Sequence, residues 1–405
     1  MKTFSSLKNP VFRLYYGALL AQRAALNMQM VARSLLIYEL TGSKTLLGLM
    51  NLAYAIPLLL TALFGGAIAN RVHKKYNILL GQAVSAVMYL VIAVCLTTGY
   101  ISSDNTGSWW VIMVSAIING FFSGIMMPSR HAIIPEIVGE KNLMNAIALN
   151  NLAMNLLRLF GPAVAGFVID AYDFGTAYYA MAALSAVAVI STIAMPLTGR
   201  IIRSSQNMFA NIREGFSYIW QKKFIMFILI FVMFSIMLSR PVTVLMPVFI
   251  DKDHLNVGAS EMGWLLSIAG AGAIISTVTL ASLPAKKRGL LMLIGSLVLG
   301  MALIAFSASS FFYLSLGAMF LFGLGQATRM TLGNTLIQYY TEEEYRGRVM
   351  SIYTMDFAFT SLGTFAAALI AEVVGVQWVV GSFAMALIII SLLVTAFVPR
   401  VRKLD

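Results

Sequence analysis

The segments AVSAVMYLVIAVCL (residues 83–96) and GSFAMALIIISLLVTAF (residues 381–397) are apolar on every side. A helix needs about 20 such residues to cross the hydrocarbon core of a bilayer, and comparable stretches follow one another along most of the chain. A transmembrane β-barrel would instead show shorter segments in which polar and apolar residues alternate. These stretches therefore predict an all-α membrane protein.

The composition of the 405-residue chain excludes an ordinary soluble fold. Hydrophobic residues make up 60% and charged residues 11% of it, whereas soluble domains contain about 45–50% apolar and about 25% charged residues. A net charge of +12 would suggest nucleic-acid binding in a soluble protein, but most Lys and Arg residues fall in alternate loops or in the two tails. This pattern follows the positive-inside rule. It predicts cytoplasmic termini, an even number of spans in the cell (cytoplasmic or inner) membrane, and no nucleic-acid partner.

The apolar stretches predict about twelve spans, grouped as one bundle in residues 1–198 and a second bundle in residues 224–405. Between them, residues 199–223 predict a cytoplasmic linker, in which NMFANIREGFSYIW has apolar residues at the spacing of an amphipathic helix lying on the membrane. The halves look related, because Gly161 and Asp170 align with Gly363 and Glu372. Transporters often descend from such duplicated bundles and bind substrate near the midplane. The expected spans are 10–39, 45–69, 76–99, 109–131, 142–170, 176–198, 224–250, 259–283, 289–308, 311–338, 346–373 and 376–398.

The loop after the second expected span carries GGAIANRVHKK (residues 65–75). It resembles the loop 2–3 signature of the major facilitator superfamily, G-x-x-x-D-R-x-x-[RK]-[RK], with Asn70 in place of the acidic residue. The segments MQMVARSLLIYELTGS, PSRHAIIPEIV, NAIALNNLAMNLLRLFGPAVAG and EEEYRGRVMSIY resemble the drug:proton antiporter branch that includes enterobactin-type siderophore exporters and macrolide efflux proteins. The resemblance covers nearly the whole chain and implies the major facilitator fold. The residues that match the loop 2–3 signature are Gly66, Asn70, Arg71, Lys74 and Lys75.

The resemblance implies that this loop forms a conformational latch. In the superfamily, its acidic residue is thought to help hold the outward-open state by meeting the end of span 11. Asn70 keeps a hydrogen bond but lacks the charge, so the latch here is expected to be weaker or to use other partners. The resemblance also implies that RLFGP (residues 158–162) is the kinked, antiporter-like segment of span 5, where a Gly-Pro pair permits bending.

Polar and basic side chains interrupt several of the expected spans. A charged side chain at mid-bilayer costs about 2.5–3.5 kcal/mol on insertion scales, so such residues usually face water or a partner. Those of span 1 fall on neighbouring stripes of the helix, and in the superfamily spans 1, 4, 7 and 10 line the cavity. The alternative is that these groups only join helices through hydrogen bonds. The candidate substrate-binding residues are Gln22, Arg23, Asn27, Arg33, Asn119, Asn155, Arg240, Gln326 and Arg329.

Arginines outnumber acidic residues inside the expected spans, where Asp356 is the one clearly buried acid. This excess predicts a basic, water-filled cavity and an anionic, zwitterionic or catechol-like substrate. Asp356 and Arg158 are the candidate proton-coupling residues, because a buried carboxylate can exchange a proton when its charged neighbours change. The alternative for Asp356 is a fixed ion pair with an arginine. Arg130, near the cytoplasmic end of span 4, is predicted to be an anchor whose charge reaches the membrane surface.

These features together predict a secondary active exporter. The chain lacks G-x-x-x-x-G-K-[ST] and a soluble nucleotide domain, so we expect no cofactor and no pumping by ATP hydrolysis. We expect instead that proton influx drives the efflux of a drug-like or siderophore-like amphiphile by alternating access. We expect the protein to be a monomer that interacts with the lipid bilayer, with protons and with a small-molecule substrate. The alternative is a translocator that moves an anionic lipid or lysolipid between leaflets. An enzyme is not expected, because the sequence shows no group of residues that could supply a nucleophile, a base or a metal site together. The histidines are scattered and Cys95 is the single cysteine, so a metal site is not expected.

Overall fold

The computed structural model describes residues 5–105, 107–197, 208–283, 286–354, 356–402 and 404, without the side chains of residues 63–71, 141, 208–212, 351, 354, 356–358 and 399–400. Every regular element in these ranges is a helix, as the apolar stretches predict. After a short 3-10 turn, Ser5–Lys8, the helices are α1 (Pro10–Thr41), α2 (Lys44–Arg71), α3 (Lys74–Thr97), α4 (Trp110–Ala171), α5 (Phe174–Ala194), α6 (Met208–Gln221), α7 (Lys223–Ser239), α8 (Pro241–Val244), α9 (Met246–Ile250), α10 (Ala259–Ser282), α11 (Arg288–Ser307), α12 (Phe312–Tyr340), α13 (Glu343–Thr354), α14 (Asp356–Val374), α15 (Val376–Phe397) and α16 (Pro399–Arg402).

Nine segments of the described residues are long and apolar enough to cross a membrane. The long helix α4 supplies two of them, and within it Gly139 has the non-helical angles φ 66° and ψ 170°, a conformation that glycine adopts readily. The all-helical membrane fold is therefore confirmed, while about twelve spans and cytoplasmic termini stay predictions. The nine segments are Lys44–Ala62, Lys74–Thr97, Trp110–Glu140, Asn142–Ala171, Phe174–Ala194, Lys223–Val244, Ala259–Ser282, Arg288–Ser307 and Val376–Phe397.

The chain divides into two compact units. Unit 1 comprises Met1–Ser205 together with Gly258–Gly263, and unit 2 comprises Gln206–Val257 together with Trp264–Asp405. Helices α1 to α5 therefore belong to unit 1, and α6 falls in unit 2.

Glycines bring helices of unit 1 into close contact. A Cβ atom at Gly120 of α4 would lie 2.2 Å from the carbonyl oxygen of Tyr54 in α2, and one at Gly124 would lie 2.1 Å from Thr61 Oγ1. The same hydroxyl donates a hydrogen bond of 2.8 Å to the carbonyl of Phe121. Small residues four apart allow helices in a membrane to approach this closely. They hold α2 against α4, on which α1 and α3 also pack.

The beginning of α1 is fastened to α4 near its break. The side chain of Asn9 caps α1, accepting hydrogen bonds from the first free amides, and its Nδ2 donates to the carbonyl of Ile137 at 2.8 Å. The amide of Ser6 donates to Asn145 Oδ1 at 3.0 Å. These contacts fix the register of α1, which carries many of the candidate residues.

Close glycine contacts recur in unit 2. A Cβ atom at Gly323 of α12 would lie 1.8 Å from the carbonyl oxygen of Ala269, and one at Gly272 would lie 2.1 Å from that of Phe320. Helix α12 also packs on α11, and α15 packs on α7 and α11. The apolar core of this unit includes Ile228, Leu336 and other fully buried side chains. It holds α12, and with it the candidates Gln326 and Arg329, inside the unit.

The amphipathic linker helix exists as α6, but it packs on protein. Its Tyr218 ring stacks on Tyr345 of α13 with centroids 4.3 Å apart, and Ile219 is also buried. Arg348 Nη2 lies 3.0 Å from Glu214 Oε2. Part of the apolar face is therefore buried in unit 2 where the sequence predicted contact with the membrane, although Trp220 remains exposed.

Candidate substrate site

Helix α1 turns its polar stripe into unit 1. Gln22 and Gln29 are buried, with 0% and 5% of their surfaces exposed. Gln29 Oε1 accepts a hydrogen bond of 2.9 Å from the hydroxyl of Tyr89 in α3, whereas neither amide atom of Gln22 has a partner among the described residues. Buried polar groups are nearly always hydrogen-bonded. Gln29 therefore fits the structural alternative, and Gln22 fits a role in binding water or a ligand.

Arg23 brings positive charge beside this stripe. Its Nε is buried and lacks a hydrogen-bond partner within the described part of the chain. Its neighbours include the phenols of Tyr54 and Tyr15 and the guanidinium of Arg130. Asn27 Nδ2 donates to the carbonyl of Arg23 at 2.8 Å, so this amide is turned towards its own helix. Arg23 is therefore the stronger candidate for an anion.

Arg33 lies further along α1, against aromatic rings. Its guanidinium carbon is 5.4 Å from the centre of the Tyr54 ring, within the range of a cation–π interaction. It also acts electrostatically on Tyr89 and Tyr178, which are both fully buried. Among the described residues, Arg33 is thus held by aromatic rings.

Arg130 of α4 is buried, with only 7% of its surface exposed. The sequence prediction of an anchor that reaches the membrane surface is therefore wrong. Arg130 and its neighbour His131 both interact electrostatically with Arg23. Arg23 and Arg130 thus lie near each other among tyrosines, and no carboxylate appears among the described groups that act on either of them.

The other candidates of unit 1 lie on α4. Asn119 is buried, its Nδ2 donates to the carbonyl of Ser115 at 2.9 Å and to the hydroxyl of Ser115 at 3.3 Å, and its Oδ1 has no partner in the described ranges. Asn155 and Arg158 are exposed. Asn119 can therefore offer only an acceptor to a ligand, whereas Asn155 and Arg158 lie at the surface of unit 1.

Unit 2 holds its basic candidates differently. Arg329 is almost completely buried, with 1% of its surface exposed, and its Nη1 donates to the carbonyl of Val232 at 3.0 Å. Gln326 is buried one turn before it. Arg240 is half-buried where α7 ends, and its carbonyl accepts a hydrogen bond of 2.9 Å from Thr243 Oγ1. The Arg329 contact fits the structural alternative better than a role in binding.

The two described lysines of the expected latch bind within unit 1. Lys74 Nζ lies 2.5 Å from Glu136 Oε1 of α4. Lys75 Nζ donates to the carbonyl of Ile193 at 2.8 Å and also to that of Met195, beyond the end of α5. The side chains of Asn70, Arg71 and Asp356, with the surroundings of Gly66, lie outside the described residues.

The tyrosines around Arg23 and Arg33 were not singled out from the sequence. Tyr15, Tyr54, Tyr89 and Tyr178 belong to four different helices. Helical periodicity shows which residues share a face of one helix, but it does not show which faces of different helices meet. The sequence therefore does not distinguish a tyrosine that faces lipid from one that lies beside an arginine.

The chain is similar in sequence to known transport proteins. The sequence model of the Major Facilitator Superfamily matches residues 16–355 and matches again at residues 243–405. The staphyloferrin A transporter of Staphylococcus aureus (strain NCTC 8325 / PS 47) is 25% identical over 337 residues, which are 82% of this chain and 82% of that protein. The enterobactin exporter EntS of Shigella boydii serotype 4 (strain Sb227) is 25% identical over 347 residues, 85% of this chain and 81% of that protein.

Solved structures show a similar fold. The nucleoside transporter NupG has a TM-score of 0.74 at 14% identity, over 96% of this chain and 99% of that one. A D-xylose-proton symporter has a TM-score of 0.71 at 15% identity, over 98% of this chain and 100% of that one. At such identities these structures show the fold alone.

Proposed function

The chain belongs to the Major Facilitator Superfamily, a family of secondary transporters and not of enzymes, and we propose that it exports a small amphipathic anion by proton-coupled alternating access. The similarity to a staphyloferrin A transporter and to enterobactin exporters supports a siderophore-like substrate. About twelve spans with both termini in the cytoplasm complete the proposal.

The observation that carries this proposal is the group of buried, unsatisfied polar atoms on α1. Both amide atoms of Gln22 and the Nε of Arg23 have no hydrogen-bond partner in the part of the chain that the structure describes. A buried donor left unsatisfied costs about 1–3 kcal/mol, and more when it is charged. An anionic or catechol-like group would supply acceptors to Arg23 and relieve its repulsion with Arg130. A cationic substrate would add to that repulsion.

Binding at Arg23 can be tested by transport into proteoliposomes that contain the purified protein. The compounds are catecholate and carboxylate siderophores, cationic dyes of similar size and a fluorescent anionic lysolipid. We expect the anions to be transported, and Arg23→Gln to weaken their apparent affinity about 10-fold or more, as loss of a charged hydrogen bond of about 1.5–3 kcal/mol implies. Arg13→Gln is the matched control, because Arg13 lies exposed on the same helix.

Three results would contradict the proposal. They are transport of the cationic dyes alone, equal affinities in the Arg23→Gln and Arg13→Gln variants, and transport of the lysolipid in place of the soluble anions. The last result would favour a lipid translocator.

Proton coupling is proposed to use Asp356 and Arg158, the two ionisable candidates for this role. An imposed pH gradient, inside acidic or inside alkaline, should change the rate of substrate transport in the wild type. Asp356→Asn should abolish this response. Substrate exchange measured in the absence of a gradient should stay unchanged in this variant. Asp104→Asn, in an exposed loop, is the control. A full response to the gradient in Asp356→Asn would remove Asp356 from the coupling mechanism.

A further inference from the structure

A small cavity lies inside unit 1, enclosed by α1, α3, α4 and the end of α5. It has room for about one water-sized group. Its polar lining consists of Tyr15, Lys75, Gln82, Arg130 and Thr192. None of these residues is a candidate for binding the transported substrate, and Lys75 is one of the residues of the expected latch.

Arg130 is the charged residue of this lining that lacks compensation. Only 7% of its surface is exposed. Its buried Nη2 finds no hydrogen-bond acceptor among the described residues. The described groups that act on it electrostatically are Arg23, Tyr15 and Tyr54, and Arg23 repels it. Glu136, an acid on the same helix, is engaged by Lys74 at 2.5 Å. A buried charge without a counter-charge costs several kcal/mol.

Two of the other polar groups of the lining, Lys75 and Gln82, also present donors. Lys75 Nζ donates to the carbonyls of Ile193 and Met195, and an ammonium group has a third N–H. Gln82 Oε1 already accepts a hydrogen bond of 2.7 Å from Thr192 Oγ1, which leaves the amide NH₂ of Gln82 as the group with donors to offer. The hydroxyl of Tyr15 donates to the carbonyl of Arg130 at 3.3 Å.

We propose that this cavity binds one monatomic anion of the size of chloride, held by Arg130 and Lys75. Arg130 and Lys75 bring positive charge and N–H donors to a lining that is otherwise largely apolar, so an anion is favoured over water, which needs acceptors for its own hydrogens. The room for about one water-sized group excludes phosphate, sulfate and a lipid headgroup. The ion neutralises Arg130 and stabilises the packing of α1, α3, α4 and α5. The proposal does not depend on the transported substrate.

Thermal unfolding of the purified full chain in detergent tests this site without substrate or a pH gradient. Sodium chloride replaces sodium gluconate at constant ionic strength, so that general screening stays fixed. Binding to the folded state should raise the unfolding temperature of the wild type in a saturable way, by about 2 °C or more. The rise should be absent in Arg130→Gln and unchanged in Arg13→Gln. No rise in the wild type, or an equal rise in Arg130→Gln, would overturn the proposal.

Two further measurements keep the proposal testable if Arg130→Gln does not fold. Lys75→Gln should shift the chloride dependence to about 10-fold higher concentration, as loss of about 1.4 kcal/mol implies. Crystals of the wild type grown in sodium bromide should show an anomalous-scattering peak beside Arg130 and Lys75. An unchanged chloride dependence in Lys75→Gln, or a cavity that holds water without an anomalous peak, would show that no anion is bound there.

Discussion

Tyr89 and Tyr178 are both fully buried in unit 1, with ring centroids 6.4 Å apart. The hydroxyl of Tyr89 donates to Gln29 Oε1 at 2.9 Å, whereas that of Tyr178 has no partner among the described residues. Tyr89→Phe leaves Gln29 Oε1 unsatisfied, so we expect a loss of stability of about 1–3 kcal/mol. Tyr178→Phe should be neutral or stabilising.

Thermal or denaturant unfolding in detergent measures both variants. The Tyr178→Phe variant is a close control, because each substitution removes one hydroxyl from a fully buried ring. Equal losses in the two variants would mean that the Tyr89–Gln29 hydrogen bond contributes no stability of its own.

At the scale of elements, the approach of α2 to α4 depends on glycine. A Cβ atom at Gly120 would lie 2.2 Å from the carbonyl oxygen of Tyr54, and a backbone atom cannot give way without moving its helix. Gly120→Ala should therefore lower stability by about 1–3 kcal/mol, as overpacking does. Gly17→Ala is the matched control, since nothing lies within 4 Å of the position of its Cβ. Unfolding temperatures check both, and an unaffected Gly120→Ala variant would refute the close contact.

The docking of α6 on α13 also depends on identifiable contacts. Arg348 pairs with Glu214 at 3.0 Å and lies 5.1 Å from the ring centre of Tyr345. We expect Arg348→Ala to speed amide hydrogen exchange in α6 severalfold, because the helix opens more often when these contacts are lost. Arg346→Ala, at an exposed position three residues from the helix start, should leave exchange unchanged. Equal exchange in the two variants would show that the apolar contacts of Tyr218 and Ile219 suffice.

At the scale of the whole molecule, the distribution of basic residues predicts the orientation. In a Cys95→Ser background, which removes the native thiol, Asn105→Cys should react in intact cells with a maleimide that cannot cross membranes. Lys286→Cys should react only after permeabilisation, because its basic loop is expected in the cytoplasm. Labelling of both positions, or of Lys286→Cys alone, in intact cells would overturn the predicted topology.

Much of the fold could be predicted from the sequence, because apolar length and residue spacing are local properties. The apolar stretches predicted the helices, and the residues around GGAIANRVHKK led to the correct superfamily. The burial of Gln22 and Gln29 also follows from their shared stripe on α1. The anchor role of Arg130 was wrong, because its position near a helix end does not reveal that α1, α3 and α5 cover it.

The sequence by itself determined that this chain lies in a membrane as helices and belongs to a family of transporters, since apolar length, charge placement and motif spacing can be counted along one chain. Only the tertiary structure decided which polar atoms are satisfied. Gln22 and Gln29 are alike in the sequence, yet Gln22 meets no hydrogen-bond partner among the residues that the structure describes, whereas Gln29 meets Tyr89. A hydrogen bond between helices depends on which helix faces meet and on how far along their axes the two residues lie. The packing of the helices determines both the faces and these positions.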